Sequence, residues 1–174
     1  RRPRDSIPAM DPRDADRDLL SRLMATEPVS GRSNAAIIDV LRRHFSAAGI
    51  RLETPEAHAP DRWNLIARTG PPVGPDRDGL TLSGHLDVVP PGEGWSSPPF
   101  RLTETDGLWY GRGTCDMLGF VAMAANLLVW AARERIERPI ALLLSADEEV
   151  GSLGAAALAG DPSLAATLPR AVVV

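Results

Sequence analysis

The sequence predicts an α/β fold, a three-layer sandwich built on a largely parallel sheet. Patterns typical of strands and helices alternate along the chain, and this order favours parallel strands with helices packed on them. Residues 139–145 form an almost continuous apolar run, as expected of a strand that is covered on both faces. Polar residues follow several predicted strands directly, where open α/β sheets place their functional sites.

The first part of the chain predicts two helices followed by short strands. Leucines at helical spacing place the first helix between Asp14 and Ala25. The second begins after Ser33 or Asn34, either of which can cap it, and it stops at Gly49. Strands are predicted over residues 50–53, 63–68 and 80–83.

The remaining elements continue this alternation. A Pro- and Gly-rich loop leads to a short strand at 108–110, and residues 117–134 have the composition of a mostly buried helix. After the apolar strand, Ser152 can cap an alanine-rich helix over residues 153–159. Residues 171–174 are apolar and β-branched, which predicts a further strand.

Composition and charge are those of an ordinary soluble protein. The 174 residues include 19 basic and 23 acidic side chains, and 44% of residues are hydrophobic. These values exclude a collagen, a disulfide scaffold and a disordered tail, and the net charge of −4 argues against a nucleic-acid binder. Every basic residue is arginine, which indicates coding bias rather than a functional choice. We therefore treat arginines outside a motif as solvated surface residues, and we predict that Arg1, Arg2 and Arg4 form a polar, frayed terminus.

The sequence also indicates a cytoplasmic location. The single cysteine, Cys115, fits a reducing compartment, and we expect it to be a small buried hydrophobe because a neighbouring carboxylate disfavours the thiolate. The first residues contain no apolar segment of a secretory signal. The most apolar stretch, residues 119–132, is shorter than the ~20 residues of a membrane span.

The first candidate functional cluster is His85-Leu86-Asp87, which follows a predicted strand. Residues two apart in an extended chain project to the same side, so Asp87 can accept a hydrogen bond from His85. Such a bond fixes the imidazole tautomer and raises the basicity of the nitrogen that would face a metal. The alternative is a surface turn with an ordinary histidine.

The second cluster is the segment GRGTCD, in which Asp116 precedes the apolar helix. The Asp116 carboxylate is either an ordinary helix cap or a group that bridges two cations through its two oxygens. A dinucleotide-binding loop is disfavoured, because Asp116 occupies the position of the third glycine in that motif.

The third cluster is Asp147-Glu148-Glu149, which follows the apolar strand directly. Three adjacent carboxylates repel one another unless a cation or a function compensates, and the alternative is a solvated acidic turn. Glu148 and Glu149 point in different directions, so one can bind a metal while the other faces water. His44 and His58 belong to no motif, and we expect structural or surface roles for both.

Taken together and in this order, the three clusters resemble those of the M20 family of metallo-aminoacyl hydrolases and peptidases. SGHLDVVP, GRGTCDM and SADEEVGSLG are similar to its three metal motifs. SNAAIIDVLRRHF, GTCDM and DEEVGSLG are most similar to the acetylornithine deacetylase branch, whereas WSSPPFRLTETDGLWYGRG is shared more widely. The resemblance covers the chain from about residue 14 to Val174.

The resemblance implies a zinc-peptidase-like catalytic domain with two divalent metal ions, Zn²⁺ or Co²⁺. It makes His85 a ligand of one ion, Glu149 a ligand of the other, and Asp116 the bridging ligand. It makes Glu148 the catalytic general base. It makes Asp87 the second catalytic residue, which orients His85 without binding a metal ion itself.

The implied reaction is hydrolysis of an amide, from N-acetyl-L-ornithine to L-ornithine and acetate in arginine biosynthesis. The expected partner is a small N-acylated amino acid, with neither nucleic acid nor a membrane involved. In the implied mechanism, Glu148 takes a proton from a metal-acidified water and returns it to the leaving amine. A succinyl-diaminopimelate desuccinylase, another M20 peptidase and a truncated non-catalytic pseudo-enzyme remain open as alternatives.

Two departures from the family pattern qualify this expectation. The family usually has lysine after the Asp-Met pair, where this sequence has Leu118. A Gly-Glu-Pro motif, a late histidine ligand and a lid domain used for dimerisation are expected but not found in the sequence. We therefore expect residues 1–174 to be the N-terminal portion of a C-terminally incomplete catalytic domain. Alone it would bind metal weakly, show negligible turnover and either aggregate or pair with another molecule, and a full-length form would be a homodimer.

Overall fold

The computed structural model describes residues 11–174, so the predicted frayed terminus lies outside the described residues. Over this part of the chain, two helices are followed by five strands, and helices and strands are then interspersed. In order they are α1 (Pro12–Met24), α2 (Ala35–Ser46), β1 (Leu52–Glu53), β2 (Leu65–Thr69), β3 (Leu80–His85), β4 (Thr103–Thr105), β5 (Leu108–Tyr110), α3 (Leu118–Glu134), β6 (Ile140–Ser145), α4 (Leu153–Ala159), α5 (Pro162–Ala166) and β7 (Ala171–Val173).

The central sheet has the strand order β1-β2-β6-β3-β7. β3 pairs in parallel with β6 and β7, whereas β2 is antiparallel to both β1 and β6. All strands of this sheet except β2 therefore run in one direction, which confirms the predicted largely parallel sheet. β4 and β5 form a separate hairpin that was not predicted, because β4 has only three residues and all of them are polar.

Helices lie on both faces of the central sheet, as the predicted three-layer arrangement requires. α1, α2 and α3 cover one face, where Leu82 and Leu142 of the sheet meet Phe45 and Leu128 of the helices in the main core. On the opposite face, α4 and α5 border a groove of about 1120 Å³ whose floor includes Ile66. Within residues 11–174, the helices are too short or too polar to cross a membrane.

The two N-terminal helices begin with different caps. α1 starts two residues earlier than predicted, because the Asp11 side chain accepts a hydrogen bond from the Arg13 amide at 2.9 Å and Pro12 occupies the first helical position. The N-cap of α2 is Asn34, one of the two predicted residues. Its side chain bonds to both backbone groups of Trp63 instead of to the helix, which fastens α2 to the segment before β2.

Candidate metal centre

The parallel pairing of β3 and β6 brings two predicted clusters to one edge of the sheet. His85 ends β3 and lies opposite Ser145, the last residue of β6, so Glu148 and Glu149 follow at the same edge. β3 is two residues longer than predicted, because Gly84 and His85 continue the ladder with β6. His85 is therefore a buried strand residue rather than a loop residue.

A tight loop brings Asp116 to the same edge. Gly113 has a φ of +87°, and a side chain there would meet Leu118 and Val88 at 2.8 Å, so glycine allows the loop to pass close to the core. Oδ1 of Asp116 lies 3.0 Å from Nε2 of His85. The Asp116 side chain is nevertheless 73% exposed, which leaves its second oxygen accessible.

His85, Asp116 and Glu149 form one group, in which a ligand atom of each residue lies within 4.8 Å of the other two. One imidazole nitrogen and two carboxylates are ligands that zinc prefers in proteins. The structure thus brings together the three residues predicted as metal ligands. That they bind metal stays a prediction.

Asp87 ties the ends of β3 and β6 together. Nδ1 of His85 lies 2.9 Å from the backbone oxygen of Asp87 and 3.6 Å from its carboxylate, so the backbone rather than the predicted side chain is the closer acceptor. The Asp87 carboxylate instead accepts hydrogen bonds from the amides of Glu148 (2.9 Å) and Glu149 (3.2 Å) and from the Ser30 hydroxyl (2.7 Å). Asp87 therefore orients both glutamates as well as His85.

The clustered charges shift three pKa values. Burial by itself would lower the pKa of His85, but the carboxylates of Asp87 and Asp116 raise it to about 9. Burial opposes ionisation of the Asp87 carboxylate. Hydrogen bonds from His85, Ser30 and the two glutamate amides outweigh burial and lower the pKa of Asp87. Burial and the neighbouring Asp116 raise the pKa of Glu149. Carboxylates thus outnumber positive groups here, an environment that a bound cation would neutralise.

Glu148 lies beside this group and faces solvent. Its side chain is 43% exposed, and its Oε2 lies 3.9 Å from Nε2 of His85. Ser152 occupies the predicted N-cap of α4, but its hydroxyl donates to Oε1 of Glu148 at 3.2 Å instead of capping the helix. As predicted, the two glutamates differ in direction, since Glu149 joins the group and Glu148 faces outward.

The sequence did not predict the contacts of Asp147. This buried carboxylate accepts hydrogen bonds from the Gly31 amide at 2.7 Å and from Nε of Arg62 at 3.1 Å. Nε2 of His58, for which a structural or surface role was expected, lies 3.2 Å from the same carboxylate. The partners come from loops that are distant in the sequence, so no local pattern could have identified them.

The residues on either side of the Asp116-Met117 pair differ in exposure. Cys115 is exposed, so the expectation of a small buried hydrophobe was wrong. The inward position belongs to Leu118, which is fully buried and packs near Gly113. A lysine side chain at that position would start from a buried site in the core, which is unfavourable for a charged group, so leucine suits the packing around it.

Comparisons with known proteins agree with the resemblance seen in the motifs. A family model described as peptidase family M20/M25/M40 matches residues 81–173, more than half of the chain. The acetylornithine deacetylase of Pasteurella multocida (strain Pm70) is 39% identical over 135 residues, which are 76% of this chain and 34% of that protein. The acetylornithine deacetylase of Salmonella paratyphi B is 38% identical over the same length. The chain therefore spans about a third of the curated relatives that it matches.

Solved structures share the fold. The M20 family metallo-carboxypeptidase Sso-CP2 from Sulfolobus solfataricus matches with a TM-score of 0.72 and 17% identity, over 94% of this chain and 37% of that one. Human carnosine dipeptidase 1 matches with a TM-score of 0.64 and 25% identity, over 81% of this chain and 33% of that one. These matches confirm the predicted peptidase-like catalytic fold.

Proposed function

The chain belongs to peptidase family M20/M25/M40, whose members are metal-dependent hydrolases of amide bonds, and we propose that it forms part of an acetylornithine deacetylase-like enzyme. The proposed reaction is the hydrolysis of N-acetyl-L-ornithine to L-ornithine and acetate, as in arginine biosynthesis. Identities of 39% and 38% to two acetylornithine deacetylases support this substrate class, a small N-acylated amino acid. The lone cysteine supports a cytoplasmic location.

The proposal extends to domain organisation. Since the chain spans about a third of its curated relatives, we propose that residues 1–174 correspond to the N-terminal portion of the catalytic domain. Further metal ligands and a dimerising lid would then belong to the rest of a homodimeric enzyme. On this proposal, residues 1–174 alone bind metal weakly and have negligible turnover.

The observation that carries the proposal is the convergence of His85, Asp116 and Glu149. Asp116 would bridge two divalent ions, with His85 binding one and Glu149 the other. The residues fit such ions in three respects. Imidazole and carboxylate groups suit Zn²⁺ and also accept Co²⁺. The Asp116 carboxylate is accessible. Burial and nearby carboxylates raise the pKa of Glu149, and a bound cation would neutralise this excess of negative charge.

Bound divalent ions would acidify a water molecule and polarise the amide carbonyl. The chain itself supplies the proton transfers. Glu148 accepts a proton from the attacking water and returns it to the leaving amine, a type of catalysis worth about 10²–10⁴-fold in rate. Ser152 holds Oε1 of Glu148, while Oε2 remains on the side of His85. Asp87 fixes the backbone of Glu148 through its amide.

Metal binding by two single-residue variants tests the roles of the adjacent glutamates. In a form of the protein that includes the remaining ligands, we expect Glu149→Gln to weaken Zn²⁺ binding by about tenfold or more, because a neutral amide replaces a ligating carboxylate. We expect Glu148→Gln to bind Zn²⁺ as the wild type does. Equilibrium dialysis with metal analysis measures both. The reverse result would show that the two roles are exchanged, and unchanged binding in both variants would contradict the site.

Substrate comparison tests the reaction. In a form of the protein that includes the remaining ligands, we expect ornithine release from N-acetyl-L-ornithine to exceed hydrolysis of N-succinyl-diaminopimelate or a dipeptide. Preference for either of the others would assign the chain to a desuccinylase or a peptidase. Turnover of none of these substrates would contradict the proposed reaction.

A further inference from the structure

Asp147 is a buried carboxylate that the proposed mechanism does not use. Its side chain is 3% exposed, although it directly precedes the two glutamates. It is surrounded by donors from two loops, namely the amide of Gly31, the guanidinium of Arg62 and Nε2 of His58. A buried carboxylate is costly without such partners, so this arrangement requires the loops to be in place.

The partners of Asp147 also hold each other. A second nitrogen of Arg62 donates to the carbonyl oxygen of Gly31, which closes a ring of hydrogen bonds through Gly31, Arg62 and Asp147. The loop that contains Gly31 is itself bound to the segment after β3, because the Ser30 amide donates to the Val88 carbonyl at 3.0 Å. The ring therefore connects the end of β6 to a segment that is fixed beside β3.

The backbone turns sharply at Asp147. Its φ is +52°, in the left-handed region that non-glycine residues adopt at a cost and that aspartate tolerates better than most. Glu148 and Glu149 follow at once, and their amides meet the Asp87 carboxylate. Such a turn persists only where its surroundings constrain it, and the ring supplies that constraint.

We propose that Asp147 is a positioning residue: its ring with Gly31 and Arg62 sets the direction in which Glu148 and Glu149 leave β6. The effect of the ring on metal binding rests on the proposed function, whereas the effect of the ring on the turn does not. Without the ring the turn relaxes, the two amides leave their acceptor, and Glu149 moves out of the metal group.

Amide hydrogen exchange measured by NMR tests the effect on the turn without any metal. In Asp147→Ala, we expect the amides of Glu148 and Glu149 to exchange about tenfold faster or more than in the wild type. The Leu86 amide, which donates to Ser145 across β3 and β6 at 2.9 Å, should keep its rate. Unchanged rates at the glutamates, or equal acceleration at Leu86, would overturn the proposal.

A second variant covers the case in which Asp147→Ala does not fold. Arg62→Gln removes the guanidinium but leaves the carboxylate and its bond to Gly31. We expect it to accelerate exchange at Glu148 and Glu149 in the same way, by a smaller factor. Exchange at the wild-type rate in this folded variant would contradict the role of the ring.

Cobalt(II) affinity, followed by visible absorption, measures the consequence for the metal centre. We expect Asp147→Ala and Arg62→Gln to bind Co²⁺ about 10–100-fold more weakly, the effect typical of residues that orient metal ligands. Asp39→Ala is a matched control, because it removes an exposed carboxylate that binds two arginines on α2. Leu41→Ala controls for lost core packing.

The controls separate the possible explanations. Both control variants should keep the wild-type Co²⁺ affinity, and equal weakening in Leu41→Ala would attribute the effect to general destabilisation and overturn the proposal. If a form of the protein that includes the remaining ligands binds no Co²⁺, that result would contradict the proposed function instead. The exchange rates of Glu148 and Glu149 would still decide the role of Asp147.

Discussion

At the scale of single residues, two histidines have pKa values that shift in opposite directions. Burial and the positive charges of Arg22 and Arg133 lower the pKa of His44 on α2 below 6.5. Neighbouring carboxylates outweigh burial at His85 and raise its pKa to about 9. Protonation is therefore unfavourable for the fold at His44, whereas it is favourable at His85 when no metal is bound.

His44 should make the protein less stable in mild acid. Its pKa is lower in the folded than in the unfolded chain, so its contribution to the free energy of unfolding is full above pH 6.5 and is lost as the pH falls through the folded pKa. Urea unfolding of the wild type and His44→Gln between about pH 8 and pH 5 isolates this contribution, because all other groups are common to both.

We expect the wild type to lose more stability than His44→Gln over this range. Equal losses in the two proteins would contradict the prediction. An NMR titration of the His44 ring in the folded wild type provides the control, since it should give a pKa below 6.5.

At the scale of elements, one buried amide joins three of them. Asn64 immediately precedes β2 and is fully buried. Its Oδ1 accepts a hydrogen bond from the Ala146 amide at 3.0 Å, just after β6, and its Nδ2 donates to the Gly154 carbonyl at 3.1 Å in the first turn of α4. Asn64 thereby holds both ends of the acidic turn that carries the candidate site.

We expect Asn64→Ala to lower the free energy of unfolding by about 2–4 kcal/mol, because a buried amide and a buried carbonyl both lose their partner. Asn126→Ala is the matched control. It removes one half-buried bond to Asp16 and should cost about 1 kcal/mol or less. Urea unfolding measures both, and equal costs would show that the Asn64 bonds add nothing beyond an ordinary side-chain contact.

Elements with a strong pattern could be predicted from the sequence, whereas short ones could not. The apolar β6 and the buried α3 begin within one residue of their predicted starts. α5 begins with Asp161 and Pro162, the same capping pair that starts α1, but its five residues are too few for a periodic pattern. Local signals therefore mark where an element starts without showing that one forms.

The candidate site shows a similar division. His85, Asp116 and Glu149 could be predicted because each belongs to a motif at the end of an element. The supports of Asp147 could not, since Arg62 and Gly31 meet it only after the loops fold onto the sheet. Hydrogen bonds that join distant loops have no sequence period, so they become visible only in the folded chain.

At the scale of the whole molecule, the two edges of the central sheet differ. β1 has only two residues, and its Glu53 binds Arg68 of the neighbouring strand. β7 lies at the other edge and is entirely apolar, with Val172 55% exposed and Val173 47% exposed. A short charged edge resists pairing with another chain, whereas an exposed apolar edge favours it.

We expect residues 1–174 to self-associate through β7 as concentration rises, which multi-angle light scattering would detect. Val172→Lys places a charge on this edge and should shift the protein towards the monomer. Leu108→Lys is the matched control, because it removes a 60% exposed apolar side chain from the β4–β5 hairpin and leaves the sheet edge intact. A concentration-independent monomer for the wild type, or equal effects of the two substitutions, would exclude β7 as the cause, since only pairing at this edge distinguishes one variant from the other.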